Sequence, residues 1–211
     1  MVSTPVIVDS ECANLNSIYK AAQVVGLNPT VTDDPKVISS ARAVIFPGVG
    51  SFAHAVSMLR RKKIIYALLE VLAAGRPFLG ICLGMQLLFT GSEESGPDNP
   101  EAEGLRIIQG TVKRFPRGLP VPHVGWNRVK PVCEHPLFAG FRDNAYFYFT
   151  HSYYVEPELD SYTLAVTDYG FDFTSAVLKG SLLGVQFHPE KSGPAGLRLL
   201  ANFGKIIAEN S

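Results

Sequence analysis

The stretch Pro77-Phe78-Leu79-Gly80-Ile81-Cys82-Leu83-Gly84-Met85-Gln86-Leu87-Leu88-Phe89 decides the fold. Pro77 to Ile81 is continuously apolar or small, as expected for a strand covered on both faces. A helical run, Met85 to Phe89, follows almost at once. Gly80 and Gly84 stand two before and two after Cys82, where a tight strand-to-helix turn would crowd a Cβ. Such a turn pushes the thiol out of the C-terminal edge of a sheet. It also places the sulfur at a helix start, where free N–H groups and the dipole favour a thiolate. The Leu83 N–H then points where an oxyanion would form, the cysteine counterpart of a serine nucleophile elbow. The alternative is a buried structural cysteine, the commonest fate of a lone Cys.

Upstream, short apolar runs alternate with helical patterns. Val6-Ile7-Val8 reads as a strand ended by Asp9. Leu15, Ile18, Tyr19, Ala22 and Val25 follow helical spacing, and Gly26 supplies a left-handed cap. Ala43-Val44-Ile45-Phe46 is a second buried strand, stopped by Pro47-Gly48. Strand–helix alternation of this kind predicts a parallel sheet with right-handed crossovers.

Downstream the pattern changes. Residues 91–104, rich in Gly, Pro, Ser and Glu, read as a surface loop. Closely spaced strand-like runs follow at 110–115, 126–132, 145–150, 162–167, 174–178 and 182–187, and their short connections predict antiparallel pairing. A last helix carries Leu199, Leu200, Phe203, Ile206 and Ile207 on one face. With 211 residues and no repeat, one domain spanning 1–211 is the expectation.

Nineteen basic residues balance nineteen acidic ones, which gives no bulk attraction to nucleic acid or an anionic membrane. The basic run Arg60-Arg61-Lys62-Lys63 reads as a solvated helix end. Three cysteines without C-x-x-C spacing argue against a disulfide framework and a thiolate zinc site. They fit a reducing cytoplasm. No signal-peptide pattern opens the chain, and no window approaches about 18 uninterrupted apolar residues.

A nucleophilic Cys82 needs a base. Gly184-Val185-Gln186-Phe187-His188-Pro189-Glu190 offers one, with His188 and Glu190 two apart. In an extended segment both side chains leave the same face, so Glu190 holds one imidazole nitrogen while the other faces Cys82. A hydrogen-bonded surface histidine and a metal ligand are the other readings. No further ligand lies at metal spacing nearby. Elbow and His-x-Glu together point to acyl transfer by a Cys-His-Glu triad.

At this point the chain resembles the class I glutamine amidotransferases. Pro47-Gly48-Val49-Gly50, Gly80 to Gln86 and His188-Pro189-Glu190 occur in that family's order and approximate spacing. Three further segments, Pro122 to Asn127, Tyr146 to Tyr153 and Gly184 to Ser192, liken it to a branch that passes ammonia to a (β/α)8-barrel cyclase in a heterodimer. The resemblance implies a three-layer α/β/α sandwich with a flavodoxin-like, mostly parallel sheet and antiparallel additions. It implies Cys82 as nucleophile, His188 as base and Glu190 as orienter. Val49, Gly50 and Leu83 would form the oxyanion hole. Gly50, Gln86, Glu94, Ser152 and Tyr153 would contact glutamine. Asn14, Trp126, Tyr148 and Lys191 would lie near the cyclase. No metal or cofactor is called for. One departure stands out: the family's glycine-rich stretch after the first strand is here Asp9-Ser10-Glu11-Cys12-Ala13-Asn14. Trp126 and the 146–149 aromatics also admit a plain reading as strand filler.

Overall fold

In the computed structural model the described residues are 4–11, 13–94, 102–141 and 145–210. Cys12 and much of the expected 91–104 loop lie outside them. The strands are β1 (Val6–Val8), β2 (Thr30–Thr32), β3 (Val44–Gly48), β4 (Phe78–Cys82), β5 (Phe89–Ser92), β6 (Ala102–Glu103), β7 (Ile108–Arg114), β8 (His123–Arg128), β9 (Lys130–Pro131), β10 (Tyr146–His151), β11 (Tyr153–Pro157), β12 (Thr163–Asp168), β13 (Asp172–Lys179) and β14 (Leu182–Val185). The α-helices are α1 (Leu15–Val24), α2 (Pro35–Ser40), α3 (Phe52–Arg61), α4 (Ile64–Ala73), α5 (Leu83–Gln86) and α6 (Gly193–Glu209).

Five strands form a parallel block in the order β2-β1-β3-β4-β14. This is the flavodoxin-like order. Beyond β14 the sheet continues through β13, β11, β7, β5 and β6, largely antiparallel. Only β7 and β5 run parallel there. Antiparallel β8 and β10 form a separate ribbon.

The parallel strands bury both faces, and alternation sorts their side chains into two cores. Val6, Val8, Val44, Phe46 and Phe78 join α2, α3 and α4 on one side. Ile7, Ile45, Leu79 and Ile81 join α1 and α6 on the other. In α6, Leu199, Leu200, Phe203 and Ile207 are buried, as their spacing predicts, and Ile206 packs against them partly exposed. The result is a three-layer α/β/α sandwich.

Several boundaries differ from expectation. β3 runs through Pro47 and Gly48, which pair with Ile81 and Cys82. The proline is tolerated because pairing of β3 with β1 ends at Ile45, so its missing N–H falls where only β4 remains a partner. The helix after Cys82 is a single turn. The carbonyls of Leu87, Leu88 and Phe89 accept instead from the N–H groups of Leu105, Ile107, Ile108 and Arg106, which peels the chain into β5. The run 126–132 breaks at Val129: β8 pairs with β10, whereas β9 pairs with β12.

The basic run caps the end of α3, as expected, but Lys62 is not solvated. Its ammonium bridges Glu11 at 2.8 Å and Asp33 at 2.9 Å. Glu11 has a left-handed φ of 59° in the loop that departs from the family's glycines. The strain of that conformation falls on a residue held by an ion pair.

Candidate active site

Cys82 closes β4 and Val185 closes β14, and these strands are parallel neighbours with Val185 paired to Ile81. Cys82 and the segment carrying His188 therefore leave the sheet at the same end. Cys82 adopts φ 52°, ψ −112°, a backbone conformation that L-residues rarely hold. The glycines make the turn possible. A Cβ on Gly84 would run into the Phe46 carbonyl, and one on Gly80 would sit 3.0 Å from backbone atoms of Gly84 and Met85.

His188 follows Phe187 in extended conformation, but Pro189–Lys191 then forms a 3-10 turn. This corrects the expected extended geometry. Pro189 favours the first position of such a turn, and Glu190 swings beside the ring. The His188 Nδ1–Glu190 Oε1 distance is 2.8 Å with both side chains buried. His188 Nε2 is buried with no hydrogen-bond partner among the described residues. Burial pulls the His188 pKa down, but the Cys82 sulfur and the Glu190 carboxylate outweigh it and raise the pKa to about 10. A pKa raised in this way favours the imidazolium.

His188 is fixed through its backbone as well. Its N–H donates to the Tyr148 carbonyl at 2.9 Å. The Ser192 hydroxyl donates to the His188 carbonyl at 2.6 Å and accepts from the Tyr148 N–H at 2.9 Å. Ser192 closes the Gly184–Ser192 segment of the resemblance, but nothing in the sequence assigned it a role.

A cavity of about 500 Å³ opens onto Cys82. Val49, Gly50, Leu83, Gln86, Glu94, Ser152 and Tyr153, every residue expected to surround glutamine, line it. Asn14 and Lys191 reach the same cavity. Gly50 holds φ 97° and Val49 is exposed. Glu94 accepts from the Phe52 N–H at 2.9 Å, at the first turn of the helix that follows the Val49–Gly50 loop. A larger depression of about 840 Å³, bordered by residues including Pro131, Cys133 and Phe138, is lined by none of Cys82, His188 and Glu190.

The four expected interface residues divide. Trp126 pairs with Tyr148 across the β8–β10 ribbon, with ring centroids 6.2 Å apart. Lys191 Nζ lies 5.8 Å from the centroid of the Tyr148 ring. Trp126 is 56% exposed, so it is not core filler, whereas Phe147 and Phe149 are. Asn14 caps α1, accepting from the Ser17 N–H at 3.4 Å.

Three further polar residues are buried: His123 and His151, whose sequence admits a structural reading, and Gln186, which the pattern did not mark. His123 Nδ1 and His151 Nε2 are 3.1 Å apart, and His151 Nδ1 lies 2.7 Å from the Tyr153 carbonyl. That carbonyl only accepts, so His151 carries its proton on Nδ1. Burial depresses His123 to about 4 and His151 to about 3. The third is Gln186, whose side-chain nitrogen lies 3.5 Å from Cys82 Sγ. Among the described residues no group of three or more His, Cys, Asp or Glu is placed to hold a metal, and no helix is long and apolar enough to cross a membrane.

A family model described as glutamine amidotransferase class-I matches residues 6–207. The chain is 48% identical over 204 residues to the imidazole glycerol phosphate synthase subunit HisH of Symbiobacterium thermophilum, covering 97% of this chain and 94% of that one. It is 45% identical over 201 residues to the protein of the same name from Methanosarcina acetivorans, covering 94% and 96%. Among solved structures, that of PurLQS from Thermotoga maritima superposes with a TM-score of 0.77 at 17% identity, covering 98% and 99%. At that identity the likeness concerns the fold alone.

Proposed function

We propose, for a chain that belongs to the glutamine amidotransferase class-I family, that it is the glutaminase subunit of an imidazole glycerol phosphate synthase. It hydrolyses glutamine to glutamate and ammonia. The observation that carries the assignment of roles is the 2.8 Å His188–Glu190 contact on the segment that leaves β14 beside the Cys82 elbow, with Cys82 opening onto the cavity. That cavity's volume lies within the roughly 300–1,000 Å³ of small-molecule sites. The sheet threads through residues of both halves, and we take 1–211 as one domain.

The Cys82 thiolate attacks the side-chain carbonyl carbon of glutamine, and the C=O electrons move onto oxygen. The Leu83 N–H and an N–H of the Val49–Gly50 loop receive that charge, each such donor being worth about 3 kcal/mol. Collapse of the intermediate breaks the C–N bond while His188 gives its proton to the departing ammonia. The neutral imidazole then takes a proton from water, whose oxygen attacks the thioester and releases glutamate. Glu190 steadies the imidazolium throughout.

Gln86 spends its side-chain nitrogen on Tyr153 O and Gln186 Oε1, both at 3.0 Å. What it can offer a ligand is its carbonyl oxygen. With the Glu94 carboxylate, this suits the α-ammonium of glutamine. Glycines on both sides of Val49 make a peptide flip there sterically cheap, which lets a partner gate the oxyanion hole.

Free ammonia is largely protonated at neutral pH, so delivery through a closed path to a (β/α)8-barrel cyclase preserves its nucleophilicity. Trp126, Tyr148 and Lys191, with Asn14 at the cavity rim, form the face we assign to that partner in a cytoplasmic heterodimer. Converting Cys82 to Ala tests the whole reading. Glutamine-dependent synthesis is expected to vanish while the cyclase still works with added ammonium salt. Undiminished glutamine hydrolysis by C82A would overturn it.

A further inference from the structure

Gln186 enters none of the steps above, yet it is fully buried and its side-chain nitrogen lies 3.5 Å from the sulfur of Cys82. Amide oxygen and nitrogen are often assigned by convention. Here the neighbours decide. The Tyr153 carbonyl can only accept, so the amide nitrogen of Gln86 must face it. The same nitrogen donates its second hydrogen to Gln186 Oε1 at 3.0 Å. The Gln186 amide is thereby oriented with its own nitrogen toward Cys82. The reverse orientation would set two amide nitrogens against each other and an oxygen lone pair against the sulfur.

We propose that Gln186 is a positioning residue for the nucleophile, its buried amide N–H holding the Cys82 sulfur in line with the cavity. The proposal rests on the reading of Cys82 as nucleophile and adds a residue to it. Gln186 and His188 both lie on the segment that leaves the end of β14 beside the elbow, and the Gln186 side chain reaches Cys82 from that side. Their parts differ. His188 gives and takes a proton, whereas the amide of Gln186 only donates a hydrogen bond. It therefore restrains the sulfur in the resting enzyme and again when the thiolate leaves the thioester. A hydrogen bond to an ionised acceptor is stronger than one between neutral groups. The backbone N–H of Gln186 donates to the Ser175 carbonyl at 2.9 Å, so the donor is itself anchored.

The test is iodoacetamide alkylation in the full-length protein, read by mass spectrometry of the Cys82 peptide, for wild type, Gln186→Met and Gln186→Glu. Methionine keeps bulk and removes the donor; alkylation is expected to slow about tenfold at neutral pH. Glutamate is isosteric. Ionised, it has no hydrogen to give and repels the thiolate; protonated, it can donate as the amide does. Its rate relative to wild type is therefore expected to be lowest at pH 8.5 and to recover severalfold by pH 5.5. Dividing by wild type removes the titrations of Cys82, His188 and Glu190 that both proteins share. Steady-state glutaminase assays are expected to show kcat falling with KM within about twofold. A Gln186→Glu ratio that is flat across pH overturns the proposal, as does a folded Gln186→Met that alkylates like wild type. Should Cys82 of the wild type react no faster than the exposed Cys133, the nucleophile reading itself fails, and this proposal with it.

Discussion

His188 and Tyr148 are joined backbone to backbone: the His188 N–H donates to the Tyr148 carbonyl, and one hydroxyl, that of Ser192, spans the His188 carbonyl and the Tyr148 N–H. The ring of the same Tyr148 packs against the exposed Trp126. The segment that carries the base is therefore bonded directly to the ribbon we assign to the partner. A shift of that ribbon has a short mechanical route to the imidazole.

Ser192→Ala removes the bridge: the Tyr148 N–H loses its acceptor, and the His188 carbonyl keeps only the Lys191 N–H. Stability is expected to fall by about 1–3 kcal/mol, read by urea denaturation. Glutaminase kcat is expected to fall at least tenfold, since small misplacements of a catalytic group are costly. Unchanged kcat would show that Pro189 and the 3-10 turn hold the ring unaided.

Glu190→Gln keeps the shape beside His188 but removes the carboxylate that helps raise its pKa to about 10. The raised pKa means the proton needed by the departing ammonia is present until the pH climbs toward that value. Without the carboxylate the proton is lost earlier. The alkaline limb of kcat/KM is expected to move down by roughly one to three pH units. A limb that stays in place would assign the shift to Cys82 alone.

The buried His123–His151 pair should make the fold acid-sensitive. Both pKa values are depressed from the ordinary 6.5, to about 4 and about 3. Above 6.5 neither state binds the protons and the contribution is intact. As pH falls below 6.5 the unfolded chain binds protons that the folded one refuses, and stability is lost progressively toward pH 4 and below. The loss is expected to be on the order of a few kcal/mol, read by urea midpoints at pH 7 and pH 5. A His123→Gln, His151→Gln double variant should show a shallower slope.

Gly84→Ala tests the elbow. The added Cβ would overlap the Phe46 carbonyl in β3, a neighbour that cannot yield without breaking sheet pairing. A destabilisation of roughly 1–3 kcal/mol or more is expected, with loss of glutaminase activity. A stable, active variant would mean that the turn can open.

Trp126→Ala removes an exposed aromatic and should leave the unfolding midpoint nearly unchanged. If the ribbon is the partner face, the Kd for the cyclase is expected to rise by about tenfold to a hundredfold. Unaltered binding would send the interface elsewhere.

The sequence alone determined the parallel block, the elbow and the three residues we propose as the triad. Each is set locally: continuous apolar runs mark strands buried on both faces, and Gly80 and Gly84 bracket a turn that tolerates no side chains. Where those locally legible pieces meet was decided by tertiary structure. Leu87 to Phe89 look helical, yet they turn the chain into β5, which starts at Phe89, because the N–H groups of residues 105–108 compete for their carbonyls. Lys62 looks like a solvated helix end, yet it is claimed by two carboxylates remote in sequence. The roles of Gln186 and Ser192 were invisible for the same reason. A buried amide or hydroxyl takes its meaning from the partners folding brings to it, and no periodicity along the chain records which partners those will be.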